Sequence, residues 1–194
     1  MEADVRRWNE RYTSTATVTA RAPEVLERWP ELATLVPSTG RSLDLACGAG
    51  GVTLWLARRG LAVCSLDVSD VAIALLEQAV AGAGLAERVT AHVVDLDDGL
   101  PAGLDELDLV VCQRFRDPAL YADLVTALRP GGVALVTVLS TVGRTEGGAR
   151  SGRDGGTHRA APGELSGAFG SDARCDVLRH EEGDGLAHAV VRRR

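Results

Sequence analysis

Short apolar runs alternate along this chain with stretches of helical periodicity. Arg41 to Leu45, Leu61 to Leu66, Val89 to Val94, Asp108 to Cys112 and Val133 to Leu139 have the length and composition of strands. Val52 to Arg59, Ser69 to about Ala81 and Pro118 to about Leu128 read as helices. Gly60 stops the first, Ser69 can cap the second with Asp70 in its first turn, and Pro118 opens the third. Arg129-Pro130-Gly131-Gly132 reads as a turn. Cys175 to Arg179 and Leu186 to Val191 flank Gly183-Asp184-Gly185 and read as a hairpin. The alternation predicts an α/β fold: a doubly wound, mostly parallel, seven-stranded sheet with a C-terminal antiparallel hairpin.

Two regions stand outside that order. Residues 1–38 carry a short helical pattern interrupted by Pro23, Pro30 and Pro37, and form a segment ahead of the first strand. Residues 141–161 hold Gly143, Gly147, Gly148, Gly152, Gly155 and Gly156, with Pro162 just beyond. A loop of about twenty residues in a compact domain is either a functional lid or a disordered, flexible insertion. This one is basic, with Arg144, Arg150, Arg153, His158 and Arg159 against Glu146 and Asp154. As a lid it would order over an anionic or carboxylate-bearing acceptor.

The 194 residues suit one domain with a full core, so 1–194 is read as a single unit. A net charge of −6 and 4% aromatic content argue against nucleic-acid binding. Lysine is absent, which excludes a P-loop. No stretch approaches the roughly 20 apolar residues of a membrane span, and the charged start Met1 to Trp8 lacks a signal peptide's apolar core. A cytoplasmic protein without membrane contact is expected. Cys47, Cys64, Cys112 and Cys175 are widely spaced, so no metal site is expected, and Cys64 and Cys112 read as buried thiols.

The chemistry centres on Leu43-Asp44-Leu45-Ala46-Cys47-Gly48-Ala49-Gly50-Gly51, a strand running through a tight turn into a helix. Small residues there let a ligand lie against bare backbone, facing the helix's N-terminal amides. With Ala46 in first place the turn can be forced into a dinucleotide fingerprint, Asp67 supplying the ribose acid. Three features favour another cofactor. Asp44 lies just before the turn, where a ligand with an ammonium group needs a carboxylate. Asp95, at a further strand end, suits a purine amino group. No second domain exists to hold a hydride acceptor, and a Tyr-x-x-x-Lys site needs the missing lysine.

Asp44 to Gly50 resembles the D-x-G-x-G-x-G motif of class I S-adenosylmethionine (SAM)-dependent methyltransferases, with Ala46 in place of the first glycine. Asp67, Asp95-Leu96, Asp108 to Cys112 and Leu128-Arg129-Pro130-Gly131-Gly132 follow in that family's order. Trp8-Asn9-Glu10-Arg11-Tyr12 and Gly163-Glu164-Leu165 are similar to segments of small-molecule methyltransferases of the tellurite-resistance and thiopurine-like type. The resemblance implies a Rossmann-like enzyme that binds SAM, releases S-adenosylhomocysteine, and folds its N-terminal segment over the cofactor. It implies a small-molecule acceptor, first a soft sulfur, selenium or tellurium nucleophile, with oxygen or nitrogen acceptors as the alternative. A non-catalytic SAM-binding protein is the non-enzyme alternative, and an NAD-dependent oxidoreductase stands behind these.

The expected cofactor contacts are Trp8, Tyr12, Asp44, Ala46, Gly48, Gly50, Asp67, Val68, Asp95, Leu96, Cys112 and Gln113. Asp67 could instead cap the helix near Ser69, and Trp8 and Tyr12, four apart on one helix face, could serve core packing. Methyl transfer from a sulfonium needs alignment and dryness more than a base. Candidates to act on the acceptor are Tyr12, Arg114, His158, Arg159 and His180. Phe115 reads as a pocket wall, Trp55 as packing, His92 as a structural residue facing the interior or a helix, and the two histidines of the hairpin, His180 and His188, as surface.

Overall fold

The structure is a computed structural model that describes residues 2–15, 17–143 and 158–194. Helices α1 (Glu2–Thr13) and α2 (Glu24–Arg28) lead into β1 (Arg41–Leu45), α3 (Gly51–Arg59), β2 (Ala62–Asp67), α4 (Asp70–Gly82) and β3 (Val89–Val93). The chain continues through β4 (Leu107–Gln113), α5 (Tyr121–Ala127), β5 (Leu128–Leu139), α6 (Glu164–Gly170), β6 (Cys175–Gly183) and β7 (Leu186–Arg193). The seven strands form one sheet in the order β3-β2-β1-β4-β5-β7-β6. Strands β1 to β5 run parallel, and β7 and β6 close the edge antiparallel.

Alternating side chains build the two faces. On β4, Leu109 and Val111 pack with Val25, Leu26 and Leu56, whereas Val110 and Cys112 pack with Leu124 and Phe169. Burial on both faces explains why β1, β2, β4 and β5 read as near-continuous apolar runs. The order of strands reverses between β1 and β4, and in such sheets the crevice beyond the strands' C-terminal ends at that point holds ligands.

Four expectations change in detail. The turn at Arg129 to Gly132 is an irregularity inside β5: Leu128 pairs with Leu107, and the ladder resumes at Val133 opposite Leu109. His188 is buried, not on the surface. Its Nδ1 is 3.0 Å from Thr137 Oγ1, and its ring meets Trp29 edge-on at 5.8 Å. Burial pulls its imidazole below the ordinary value. His92 is exposed because β3 is the outermost strand. Cys64 is half-buried and Cys112 fully buried.

The loop expected at residues 141–161 lies mostly outside the described residues, so Arg144, Glu146, Arg150, Arg153 and Asp154 do as well. Its ends are close: Ser140 and Ala160 form a parallel bridge, Ala160 N donates to Leu139 O at 2.7 Å, and Thr141 N donates to Ala160 O at 3.1 Å.

Candidate active site

A cleft of about 940 Å³ opens at the C-terminal ends of β1, β2, β4 and β5. Its floor is the turn after β1. Ala46 has φ 52°, Gly48 φ 56° and Gly50 φ 87°, so the chain passes three times through the left-handed region in five residues. Gly48 cannot be larger: a Cβ there would lie 2.5 Å from Tyr12 Oη. Ala46 holds its conformation against the steric cost of its methyl group.

Carboxylates line one end. Asp44 is 2% exposed and accepts the Thr53 hydroxyl at 2.6 Å; Thr53 is in turn 2.9 Å from Ser65 Oγ. Burial pushes the Asp44 carboxyl up to about 7, with the Thr53 hydrogen bond opposing. A cation placed beside it would restore its charge. Asp67 is also buried and raised by desolvation; one oxygen accepts Gly48 N–H at 2.8 Å and the other Ser69 N–H at 2.9 Å. Capping of α4 falls to Ser69, whose Oγ accepts Ala72 N–H at 3.1 Å, which leaves the remaining lone pairs of Asp67 facing the cleft it lines. Asp95 Oδ1 accepts Asp97 N–H at 3.0 Å, while Oδ2 is buried with no hydrogen-bond partner among the described residues. A buried carboxylate oxygen in that state calls for a donor. Val68 and Leu96 complete this wall.

Arginines line the cleft beyond β4. Arg114 has φ 59°, and its Nε donates to Glu24 Oε1 at 2.7 Å. Gln113 Oε1 accepts Glu24 N–H at 2.8 Å, so α2 is tied to the end of β4 twice. Arg116 forms a forked pair with Glu164, at 2.8 and 2.6 Å, and Tyr121 donates to the same carboxylate at 2.9 Å. Burial opposes it, yet these two partners hold Glu164 below its ordinary value. Phe115, His158 and Arg159 line the same end, and Arg159 Nη1 donates to Ser140 O at 3.0 Å.

Helix α1 lies over the cleft. Trp8 and Tyr12 both line it, with ring centroids 6.2 Å apart and planes 24° from parallel. Burial, and then the charge of Asp67, pushes the Tyr12 phenol up to about 12, so it stays protonated at neutral pH.

Eleven of the twelve expected cofactor residues line this cleft; Cys112 stands behind the wall, its Sγ 3.4 Å from Phe115 O and its thiol pushed up to about 12 by burial. Of the residues expected to act on the acceptor, Tyr12, Arg114, His158 and Arg159 line the cleft, and His180 does not. His180 sits on β6, with Nε2 buried and without a partner among the described residues.

Comparison with known proteins agrees with this geometry. Residues 43–132 match the family described as "Methyltransferase domain". The matched segment, which holds the glycine turn, Asp67 and Asp95, is similar to the domain of class I SAM-dependent methyltransferases. It is 31% identical over 143 residues to an uncharacterized methyltransferase of Synechocystis, covering 66% of this chain and 64% of that one. It is 35% identical over 104 residues to ribosomal RNA small subunit methyltransferase C of Alcanivorax borkumensis, covering 48% of this chain and 30% of that protein. TehB from Haemophilus influenzae has a similar fold, with a TM-score of 0.69, 18% identity, and coverage of 97% and 67%. The chain spans between 28% and 64% of the length of the curated relatives it matches.

Several residues that build or flank the cleft escaped the sequence reading. Thr53 sits two residues into α3 and turns back to Asp44, a contact no motif spacing announces. Arg21 lies over the glycine turn: its N–H donates to Gly51 O at 3.0 Å, and a Cβ on Gly51 would be 3.2 Å from its Cγ. Glu24 meets β4 only in the folded chain. Asn9 lies within the Trp8–Tyr12 segment, and its amide character was the available signal.

Proposed function

We propose that this chain transfers a methyl group from SAM to an anionic small molecule whose nucleophile is a soft sulfur, selenium or tellurium atom. The observation that carries the reading is the division of charge in one cleft. Asp44, Asp67 and Asp95 line it at the ends of β1, β2 and β3, and Arg114, Arg116 and Arg159 line it beyond β4 and β5, with Arg7, Arg11, Arg21 and the acids Asp4, Asp97 and Asp117 on the same lining. SAM's donors match the first set in order: the ammonium for Asp44, the ribose hydroxyls for Asp67, and the adenine amino group for the unpartnered oxygen of Asp95. Arg21, beside the N-terminus of α3, suits the methionine carboxylate. When bound, SAM supplies a methyl group on a positively charged sulfur.

The chain's own part is then alignment. Trp8 and Tyr12 cover the cofactor and keep water out. Arg159 holds the acceptor's negative charge and aims its nucleophile along the sulfur–methyl axis, beside Arg114 and Arg116, whose charges are balanced by Glu24 and Glu164. Phe115 walls the space between the two ends. A soft anion needs no general base, and Tyr12, protonated at neutral pH, does not offer one. His158 supports a second reading, as the one imidazole among the described residues lining the cleft. An oxygen or nitrogen acceptor would use it to remove a proton.

The test is a mass-spectrometric acceptor panel with SAM: thiols, selenols and tellurium oxyanions with and without a carboxylate, phenols, amines and a ribosomal RNA fragment. Methylation of the soft anionic members is expected. Turnover confined to phenols or amines, and lost in H158A, would establish the second reading. Methylation of the RNA alone would overturn both. Binding of S-adenosylhomocysteine without turnover on any acceptor would leave a SAM-binding protein.

A further inference from the structure

Helix α1 covers the cleft without joining the core. No side chain from Asp4 to Thr13 is fully buried, and a helix of 12 residues with no buried face is marginal by itself. It meets α4 through Asn9. Asn9 Oδ1 accepts the Ser69 hydroxyl at 2.6 Å, and Asn9 Nδ2 donates to Asp70 Oδ1 at 2.7 Å. Ser69 is wholly buried, and its N–H is held by Asp67 Oδ1 at 2.9 Å. On the same helix, Tyr12 rests against Gly48, whose N–H is held by Asp67 Oδ2 at 2.8 Å. Thus α1 touches, from two sides, the two residues whose backbone N–H groups hold the Asp67 carboxylate.

We infer that Asn9 is a positioning residue: it latches α1 to the start of α4 and couples closure of this cap to cofactor binding at Asp67. The inference rests on the reading of the cleft as a SAM site. A cap held shut only part of the time weakens apparent affinity in proportion to the open fraction. Coupling is reciprocal, so a cofactor under Trp8 and Tyr12 must also hold the cap down. Asn9 itself is outside the cleft lining, which separates the latch from the contacts it serves.

The test combines calorimetry with S-adenosylhomocysteine and amide hydrogen exchange of residues 2–13. In the wild type, ligand should bind and slow exchange throughout α1. In N9A the dissociation constant should rise about tenfold, the scale of losing its hydrogen bonds. Exchange in α1 should stay fast with ligand bound, and the ligand-free melting temperature should not change. D70A, at an exposed position, removes one of the two bonds and should raise the constant by less; N9A/D70A should bind no more weakly than N9A. Wild-type affinity and protection in N9A, or simple additivity of the two substitutions, would overturn the latch alone. A fall in ligand-free melting temperature large enough to explain the affinity loss would make Asn9 merely structural and also overturn it. Failure of the wild type to bind ligand would instead remove the SAM reading on which the latch stands.

Discussion

At the end of the cleft proposed to hold the donor, the groups that fix each carboxylate are near it along the chain. Thr53 is 9 residues from Asp44, Gly48 is 19 from Asp67, and Ser69 is 2 from Asp67. At the acceptor end the partners are far apart: Glu24 and Arg114 by 90 residues, and Arg116 and Glu164 by 48. The donor end is therefore set by one strand–turn–helix unit and its neighbour. The acceptor end exists only after α2 and the segment around α6 have docked. The difference teaches that donor binding and acceptor choice can vary separately, because they depend on different parts of the chain.

That separation can be broken or sharpened by experiment. The largest effect is expected at Asp67. D67A should weaken S-adenosylhomocysteine binding by about 1–3 kcal/mol, the range for hydrogen bonds to a charged group, with little change in acceptor KM. Equal damage to both would mean the two ends are one unit. Next, E164A strips Arg116 and Tyr121 of their shared, partly buried partner. A stability loss of about 2 kcal/mol and a raised acceptor KM should follow, while calorimetric donor affinity stays at the wild-type value.

Asp44 gives a pH signature. Its folded value, about 7, lies above that of an unfolded aspartate, so its ionisation opposes folding and its contribution to stability falls as pH rises toward 7. Donor binding runs the other way, because an ammonium favours the charged carboxylate. Affinity should strengthen by up to about tenfold per pH unit below 7 and level off above it. Asp67 is raised in the same direction, so D44N serves as the control: a profile as steep in D44N as in the wild type would move the effect to Asp67. The smallest effect belongs to Ala46. A46G relieves a methyl group at φ 52° and should raise stability by about 0.5–1 kcal/mol, seen as a higher melting temperature.

The same contrast governs what could be read from the sequence. The seven strands with their antiparallel hairpin, Asp44, the glycine turn, Asp67 and Asp95 were legible because period, turn chemistry and strand-end acids are local features. Cys112 was misplaced because alternation along β4 sends it to the face of α5 and α6 while Gln113 turns to the cleft. His188 looked like hairpin surface because β6, which makes β7 an interior strand, extends four residues beyond its apolar run to Gly183. The Glu24–Arg114 and Asn9–Ser69 contacts join distant segments, and no spacing rule reaches them.

The bridge between Ser140 and Ala160 bears on how such a protein diversifies. It brings the chain back to the sheet beside the point where it left, and α6 and the hairpin start from that fixed place. For a flexible loop anchored at two fixed points, closure entropy costs only about 0.6 kcal/mol more for each doubling of length. The bridge is thus a socket: sequences of different size and charge can be exchanged there during evolution, or grafted at the bench, while the strand register and the donor site stay as they are.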